Sequence, residues 1–189
     1  AESFNGSSWT SGAGADNLGD AIDAACWTRS PGPGGSNYYW GTRSGTTGSG
    51  STGPNSAFGG SGNYIFVEAS NTTGSPSTFT SPEIDLVGAS AAEVSFYYHM
   101  YGSNIGTLEL EVYNGTTWTS EFSISGQQQS SGTAAWIQQT VDISSYTGGV
   151  IQIRFQATRG ASWQGDIAID ELTIVNPASV VDPPTSFSA

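Results

Sequence analysis

The sequence is poor in basic residues. Its 189 residues include 16 acidic side chains but only four arginines and no lysine, which gives a formal net charge of −12. Nucleic acids and anionic membranes are bound mainly through Lys and Arg, so neither is expected as a partner. A chain of this charge favours cations or neutral partners. A sulfated polymer would need a local arginine cluster or a bound cation.

Cysteine is equally scarce, because Cys26 is the only one and an internal disulfide is impossible. Small secreted animal domains usually carry several disulfides, so the sequence favours a bacterial exoprotein or a domain large enough to fold without them. No apolar run approaches the length of about 18 residues that spans a membrane. Ala1 does not begin a basic and then apolar leader, so we expect that any signal peptide lies upstream or has been removed.

Glycine, serine and threonine are abundant, and an aromatic fraction of 12% argues against disorder. Apolar and polar residues alternate with a period of two, whereas helical periodicity is missing. Asn114-Gly115 stands between two alternating runs, which is a strong hairpin signal. These patterns predict an all-β sandwich of two antiparallel sheets. The predicted strands cover residues 64–69, 94–101, 108–113, 118–124, 136–143, 151–156 and 167–175.

The last predicted strand changes phase. Its apolar residues occupy odd positions at Ile167 and Ile169 but even positions at Leu172 and Ile174. Such a change turns a strand over unless a β-bulge absorbs it, and bulges often re-aim side chains near sites. The carboxylates at 170–171 are therefore candidates for a function beyond solubility.

The chain is predicted to hold one domain, residues 1–176, followed by a linker at 177–189. Two irregular stretches, about 5–27 and 30–62, interrupt the strand pattern, and loops of this length are usually functional or mobile. The tail contains Asp182-Pro183-Pro184, which is typical of a linker. Residues 183–189 resemble the opening of a fibronectin type III module, so we expect the natural protein to continue.

Three segments carry a resemblance to a known family. Residues 96–102, residues 105–108 and residues 165–172 closely resemble the signature of the MAM domain, an extracellular module. Matches in the same order extend the resemblance over roughly residues 4–174. They are Phe4, Thr52-Gly53-Pro54, Glu68-Ala69-Ser70, Ser81-Pro82, residues 126–128, Trp136 and Arg159-Gly160.

The resemblance implies a jelly-roll β-sandwich without catalysis that works in adhesion or recognition. Some members of the family carry a structural cation, usually Ca²⁺, held by acidic residues near both ends of the domain, so a bound Ca²⁺ is a candidate here. The family's four cysteines are missing, and Ala57-Phe58-Gly59 replaces an acidic motif. Asp170 alone matches the family's acidic set. The other candidate ligands are Asn5, Asp20, Asp23 and Asn55, and the sequence does not choose among them.

Catalysis is the weakest interpretation. Glu109 and Glu111 point to the same face of a strand, about 7 Å apart, near the carboxylate separation of glycosidases. They lie opposite buried leucines, however, and solvation of that face is the simpler reading. One histidine, His99, and one cysteine do not assemble a Ser-His-Asp or zinc site. The chain is therefore not expected to be an enzyme.

Aromatic residues in the irregular stretches suggest a sugar-binding surface, because flat rings suit the apolar C–H faces of a pyranose. Amides and guanidinium groups nearby could bind its hydroxyls. Trp118 and Trp136 lie on strands and are interpreted as core residues. The predicted ligand-binding residues are Tyr38, Tyr39, Trp40, Arg43, Arg159, Trp163 and Gln164.

The sequence thus predicts a secreted, monomeric binding module of a multidomain chain, attached to a hydrolase and directed at an extracellular polysaccharide. The alternative is a protein–protein adhesion or spacer domain of a secreted enzyme such as a metalloprotease. A groove lined by Trp, Tyr, Arg and Gln would favour sugar. An exposed apolar patch would favour adhesion.

Overall fold

The computed structural model describes Phe4, residues 27–32 and residues 35–175. This part of the chain holds eleven β-strands, two short 3-10 helices and no α-helix, which confirms the all-β prediction. Among these residues, no helix has the length and apolar character to cross a membrane. The strands are β1 Thr28–Ser30, β2 Trp40–Arg43, β3 Tyr64–Val67, β4 Ser77–Thr80, β5 Ile84–Asp85, β6 Glu93–His99, β7 Thr107–Tyr113, β8 Trp118–Ser125, β9 Ile137–Asp142, β10 Val150–Thr158 and β11 Ile167–Val175; the 3-10 helices are Phe58–Gly60 and Ser144–Tyr146.

The strands form two antiparallel sheets that pack as a jelly-roll sandwich, as predicted. The front sheet has the order β1-β4-β10-β7-β8, with β5 also paired to β10. The back sheet has the order β2-β3-β11-β6-β9. The last two strands of the described chain, β10 and β11, therefore occupy the centre of one sheet each.

A single apolar core fills the space between the sheets. Burial alternates residue by residue along β7 and β10, as expected for strands with one face turned inward. At its centre, the Phe155 ring lies 4.9 Å from Phe96 and 6.5 Å from Trp40, measured between ring centroids. Each such side chain contributes about 1.5–3 kcal/mol when it is fully buried. The core is therefore the main source of stability.

The predicted hairpin is confirmed between β7 and β8. Its connection has four residues rather than two, and Tyr113 is paired with Trp118 across it. The side-chain oxygen of Asn114 accepts hydrogen bonds from the N–H groups of Thr116 and Thr117, both at 2.9 Å. Gly115 adopts a φ of 91°, which favours glycine.

The predicted bulge in the last strand is also confirmed. The β11–β6 register shifts between Asp170 and Thr173, and Glu171 has a φ of 48°. Ile169 before the shift and Leu172 after it both reach the central core. The bulge thus keeps the apolar side of the strand inward on both sides of the phase change.

The outward side of the back sheet is covered by residues 44–62, here named the covering loop. The hydroxyl of Tyr64 donates to Gly45 O at 2.8 Å, and Trp136 Nε1 donates to Ser56 O at 3.2 Å. A second, smaller core forms beneath the loop. It consists of Tyr39, Ala57, Tyr64, Phe66 and Ala168, with Trp136 packed against it. Of the described residues, none forms a comparable buried cluster on the outward side of the front sheet.

Candidate functional site

Three of the predicted ligand-binding aromatics belong to the cores. Tyr38 and Trp40 are completely buried, and Tyr39 is 5% exposed. Trp40 is the first residue of β2, and its Nε1 donates to Ser77 O at 3.2 Å. The prediction that these rings offer free faces is wrong, because Tyr38 and Trp40 pack in the central core and Tyr39 packs in the smaller core beneath the covering loop.

The other four predicted ligand-binding residues are partly exposed. The Arg159 guanidinium donates to Ala69 O from Nε at 3.1 Å and from Nη2 at 2.8 Å, so it holds a loop. Arg43 Nε donates to Thr46 O at 2.7 Å. Trp163 is 44% exposed, and Gln164 beside it accepts a hydrogen bond from Ser103. A role for Trp163 and Gln164 in binding stays a prediction.

Backbone donors hold the carboxylate of Asp170, one of the predicted calcium ligands. Asp170 is 1% exposed, and its two carboxylate oxygens accept hydrogen bonds from the N–H groups of Phe58 at 2.9 Å and Glu171 at 2.8 Å. Ca²⁺ needs six to eight oxygen ligands, and each Asp170 oxygen already accepts one backbone hydrogen bond. Within residues 27–32 and 35–175, no group of three or more His, Cys, Asp or Glu could hold a metal. The proposed ligands Asn5, Asp20 and Asp23 lie outside the described residues, and calcium binding stays a prediction.

A second buried carboxyl group, Asp166, was not singled out by sequence reasoning. It is completely buried, and its Oδ1 accepts a hydrogen bond from Ala69 N at 3.0 Å. Burial, and then the negative charge of Glu68, raises the pKa of Asp166 to about 8. The protonated form is therefore favoured in the folded chain at neutral pH.

We expect the domain to lose stability as the pH rises from about 4 to about 8. In that interval Asp166 keeps its proton when folded and releases it on unfolding, because its ordinary pKa is 3.8. The limiting slope for one proton is about 1.4 kcal/mol per pH unit. Urea unfolding at about pH 5 and about pH 8 should show a smaller difference for Asp166→Asn than for the wild type. Equal differences would contradict the raised pKa.

The front face, meaning the outward side chains of β1, β4, β10, β7 and β8, was not predicted as a site. Strand pairing arranges its side chains in rows across the sheet, with neighbours on one strand about 7 Å apart. One row has Trp118, Tyr113 and Gln152; the next has Ser120, Glu111, Arg154, Thr80 and Thr28; the third has Ser123, Glu109, Gln156, Thr78 and Ser30.

An aromatic platform lies at one end of the front face. The rings of Tyr113 and Trp118 are 5.1 Å apart with an interplanar angle of 33°. The guanidinium carbon of Arg154 lies 4.2 Å from the Trp118 ring centroid, and Arg154 Nε donates to Glu111 Oε2 at 2.6 Å. The interpretation of Trp118 as a core residue is wrong, since its ring lies outward and is only partly buried. Cation–π contact and ion pair together fix the ring orientation.

Polar groups continue from this platform along the sheet. Glu109 accepts hydrogen bonds from Gln156 Nε2 at 3.0 Å and from the Ser120 hydroxyl at 3.3 Å. Glu109 and Glu111 therefore have different partners, although they stand two residues apart on one strand. The front face thus combines flat aromatic surface with fixed acceptors and amide donors on rigid strands. Such a surface can stack against a pyranose ring and hydrogen-bond its hydroxyls.

The comparisons with known proteins agree with this fold. The family model described as "MAM domain, meprin/A5/mu" matches residues 23–178. A stretch of 96 residues, 48% of this chain, is 41% identical to MAM domain-containing glycosylphosphatidylinositol anchor protein 1 of Rattus norvegicus, of which it covers 9%. A stretch of 97 residues, 51% of this chain, is 33% identical to MAM domain-containing protein 2 of Mus musculus and covers 14% of it. The chain therefore spans a small part of the length of these relatives.

Two solved structures resemble the sandwich. The K1 cleaved adhesin domain of Lys-gingipain from Porphyromonas gingivalis W83 superposes with a TM-score of 0.56 at 16% identity, covering 82% of this chain and 92% of that one. TmCBM61 in complex with beta-1,4-galactotriose superposes with a TM-score of 0.50 at 13% identity, covering 82% and 93%. At these identities the likeness shows the fold alone.

Proposed function

The chain belongs to the MAM domain family, and on this premise we propose that it is a non-catalytic module that binds an extracellular polysaccharide through its front face. The observation that carries the proposal is the aromatic platform. Tyr113 and Trp118 offer partly exposed rings, and the Arg154–Glu111 pair holds the Trp118 ring in place. A preorganised surface loses little conformational entropy when it binds a ligand.

Several features favour sugar as the ligand of the front face. Apart from the two aromatic rings, its rows consist of hydroxyl, amide, carboxylate and guanidinium groups. Glu109 and Glu111 are engaged by Gln156, Ser120 and Arg154, which favours a role in positioning and hydrogen bonding over acid–base catalysis. In a solved structure of the same fold, TmCBM61 is complexed with a galactotriose. The setting we propose is extracellular, with the module monomeric within a longer chain that includes a hydrolase.

One observation favours the alternative of protein–protein adhesion. Phe58, in the covering loop, is 36% exposed and stacks on Tyr97 with ring centroids 3.8 Å apart. This pair lies on the back sheet side and is separate from the front face. An exposed aromatic pair of this kind suits a small apolar contact with another protein. The two functions therefore use different surfaces and are separable by mutation.

Affinity electrophoresis tests the proposed function. The domain would be run through gels that contain β-1,4-galactan, xylan, β-1,3-glucan, alginate or dextran sulfate, each with calcium and with chelator. We expect at least one neutral polymer to retard the domain. A difference between the calcium and chelator gels would test the calcium prediction at the same time. If no polymer retards the domain under either condition, the polysaccharide proposal fails and adhesion through Phe58 and Tyr97 becomes the better hypothesis.

Trp163→Ala measures the contribution of the exposed loop aromatic. Trp163 lies outside the rows of the front face, so we expect polymer affinity to change by less than about threefold. Its half-exposed ring should cost less than about 0.5 kcal/mol of stability. Gel retardation gives the affinity, and urea unfolding gives the loss of stability. A larger loss of affinity would place the main site at Trp163 and Gln164, as predicted from the sequence.

A further inference from the structure

The chain has very few cations, and each donates a hydrogen bond within the protein. It contains four arginines and no lysine. Three of the arginines donate to backbone carbonyls and the fourth to a carboxylate, so each guanidinium has a structural role. The pairs are Arg29 Nη1 to Trp40 O at 3.0 Å, Arg43 Nε to Thr46 O at 2.7 Å, Arg159 Nη2 to Ala69 O at 2.8 Å and Arg154 Nε to Glu111 Oε2 at 2.6 Å.

Arg154 is the cation that belongs to the rows of the front face. Its neighbours in its own row are Glu111 on β7 and Thr80 on β4. The side chain of Glu111 is 12% exposed and that of Arg154 is 23% exposed, so the ion pair is largely shielded from water. The Trp118 ring covers the guanidinium from a second side. A charge-assisted hydrogen bond of this kind is about twice as strong as a neutral one, and shielding from water reduces its screening by salt.

Resting on the proposed function, we propose that Glu111 determines the charge selectivity of the front face. By neutralising Arg154, it restricts the face to uncharged glycans and excludes polymers that carry carboxylate or sulfate groups. An anionic sugar would have to displace the Glu111 carboxylate or approach it closely, and the net charge of −12 opposes both. Uncharged hydroxyl groups face no such barrier, because they can donate to Glu109 and Glu111.

Glu109 provides a matched control on the same strand and the same face. It carries the same charge as Glu111, but it is paired with Gln156 and Ser120 rather than with a guanidinium. Glu109→Gln and Glu111→Gln therefore change the net charge by the same amount. Only Glu111→Gln releases a positive charge on the front face.

The experiment compares wild type, Glu111→Gln and Glu109→Gln in gels containing alginate, dextran sulfate or the neutral polymers. We expect wild type to be retarded by a neutral polymer and not by the anionic ones. Glu111→Gln should be retarded by an anionic polymer, with an affinity at least about tenfold above the detection limit that bounds wild type, whereas Glu109→Gln should stay within about twofold of that limit. The gain should disappear in the double variant Glu111→Gln/Arg154→Gln. It should also fall between about 0.05 M and about 0.5 M salt, because ions screen the interaction.

The outcomes separate this inference from the proposed function. Neutral binding by wild type without any gain in Glu111→Gln overturns the role of Glu111 and leaves the module function intact. Equal gains in Glu111→Gln and Glu109→Gln overturn it as well, because net charge alone would then set selectivity. Binding of alginate by wild type would also overturn the role of Glu111, because the front face would then accept an anionic polymer with Glu111 in place. If no polymer retards any form of the domain, the proposed function fails together with the inference.

Thermal melting checks the fold of each variant, and Glu111→Ser replaces Glu111→Gln if the latter does not fold.

Discussion

Replacing Trp118 by alanine should weaken binding of a neutral polysaccharide by about thirtyfold, which corresponds to about 2 kcal/mol. The substitution removes the larger ring of the platform and the surface against which Arg154 stacks at 4.2 Å. Trp118→Phe keeps a flat ring and should recover much of the affinity. Retardation in gels containing the polymer that binds wild type, over a range of polymer concentrations, gives the affinity directly.

The fold should tolerate this change. The Trp118 ring lies outside both apolar cores, so Trp118→Ala loses chiefly the cation–π contact with Arg154 and the ring contact with Tyr113, about 1–2 kcal/mol together. Trp163→Ala serves as the matched control, because it removes an exposed tryptophan away from the rows. If both variants bind as wild type does, the front face is not the binding surface.

Replacing Trp40 by alanine should destabilise the domain by about 3–5 kcal/mol, the usual range for removing a large buried aromatic side chain. Trp40 is completely buried, its ring lies 6.5 Å from Phe155, and its Nε1 donates to Ser77 O. The variant leaves a cavity and removes the hydrogen bond to Ser77 O. Urea unfolding gives the loss of free energy, and Trp40→Phe separates the lost hydrogen bond from the cavity.

The same variant tests the interpretation of Trp40 as a sugar-binding residue. Trp40 lies in the core, so the folded fraction of Trp40→Ala should bind polysaccharide as wild type does. Measuring retardation below the melting temperature of the variant isolates that fraction. A folded variant with unchanged stability and no binding would restore Tyr38, Tyr39 and Trp40 as the site.

Local sequence patterns predicted most of the strands because they report burial directly. Alternation in β7 and β10 follows from one face meeting the core, whatever the neighbouring strands are. Asn114-Gly115 marked the hairpin, since glycine accepts the positive φ and asparagine caps the turn. The phase change near Asp170 marked the bulge, because only an extra residue keeps both halves of β11 inward.

The site depends on strand pairing and tertiary packing, which the sequence of a single strand does not show. Trp118 was assigned to the core because it is aromatic and lies in a strand, whereas the pairing with Tyr113 places it outward. Tyr38 and Trp40 were assigned to a loop because glycine and serine surround them, yet a four-residue strand buries Trp40. Tertiary packing decides which of the two sheets lies beneath the covering loop. The alternation of apolar and polar residues within one strand does not predict this choice.

The sequence also did not show which side chain each buried or partly buried carboxylate would contact. Glu109 and Glu111 have the same local context, two apart on one amphipathic strand. Arg154 lies 43 positions away from Glu111, and the register of β10 against β7 alone decides which carboxylate it meets. Asp166 was likewise inconspicuous, since its burial depends on the loop around Glu68 and Ala69.

The position of β10 and β11 determines when the chain can fold during synthesis. Each is the central strand of its sheet, and both come last among the described strands. A nascent chain that has emerged as far as β9 holds the outer strands of both sheets but the centre of neither. Its outer strands can pair natively, but the core then lacks the side chains of both central strands, and chains that expose apolar surface in this way are prone to aggregate. We therefore expect folding to wait until Val175 has left the ribosome or the translocation channel, so that the domain folds after its chain has emerged.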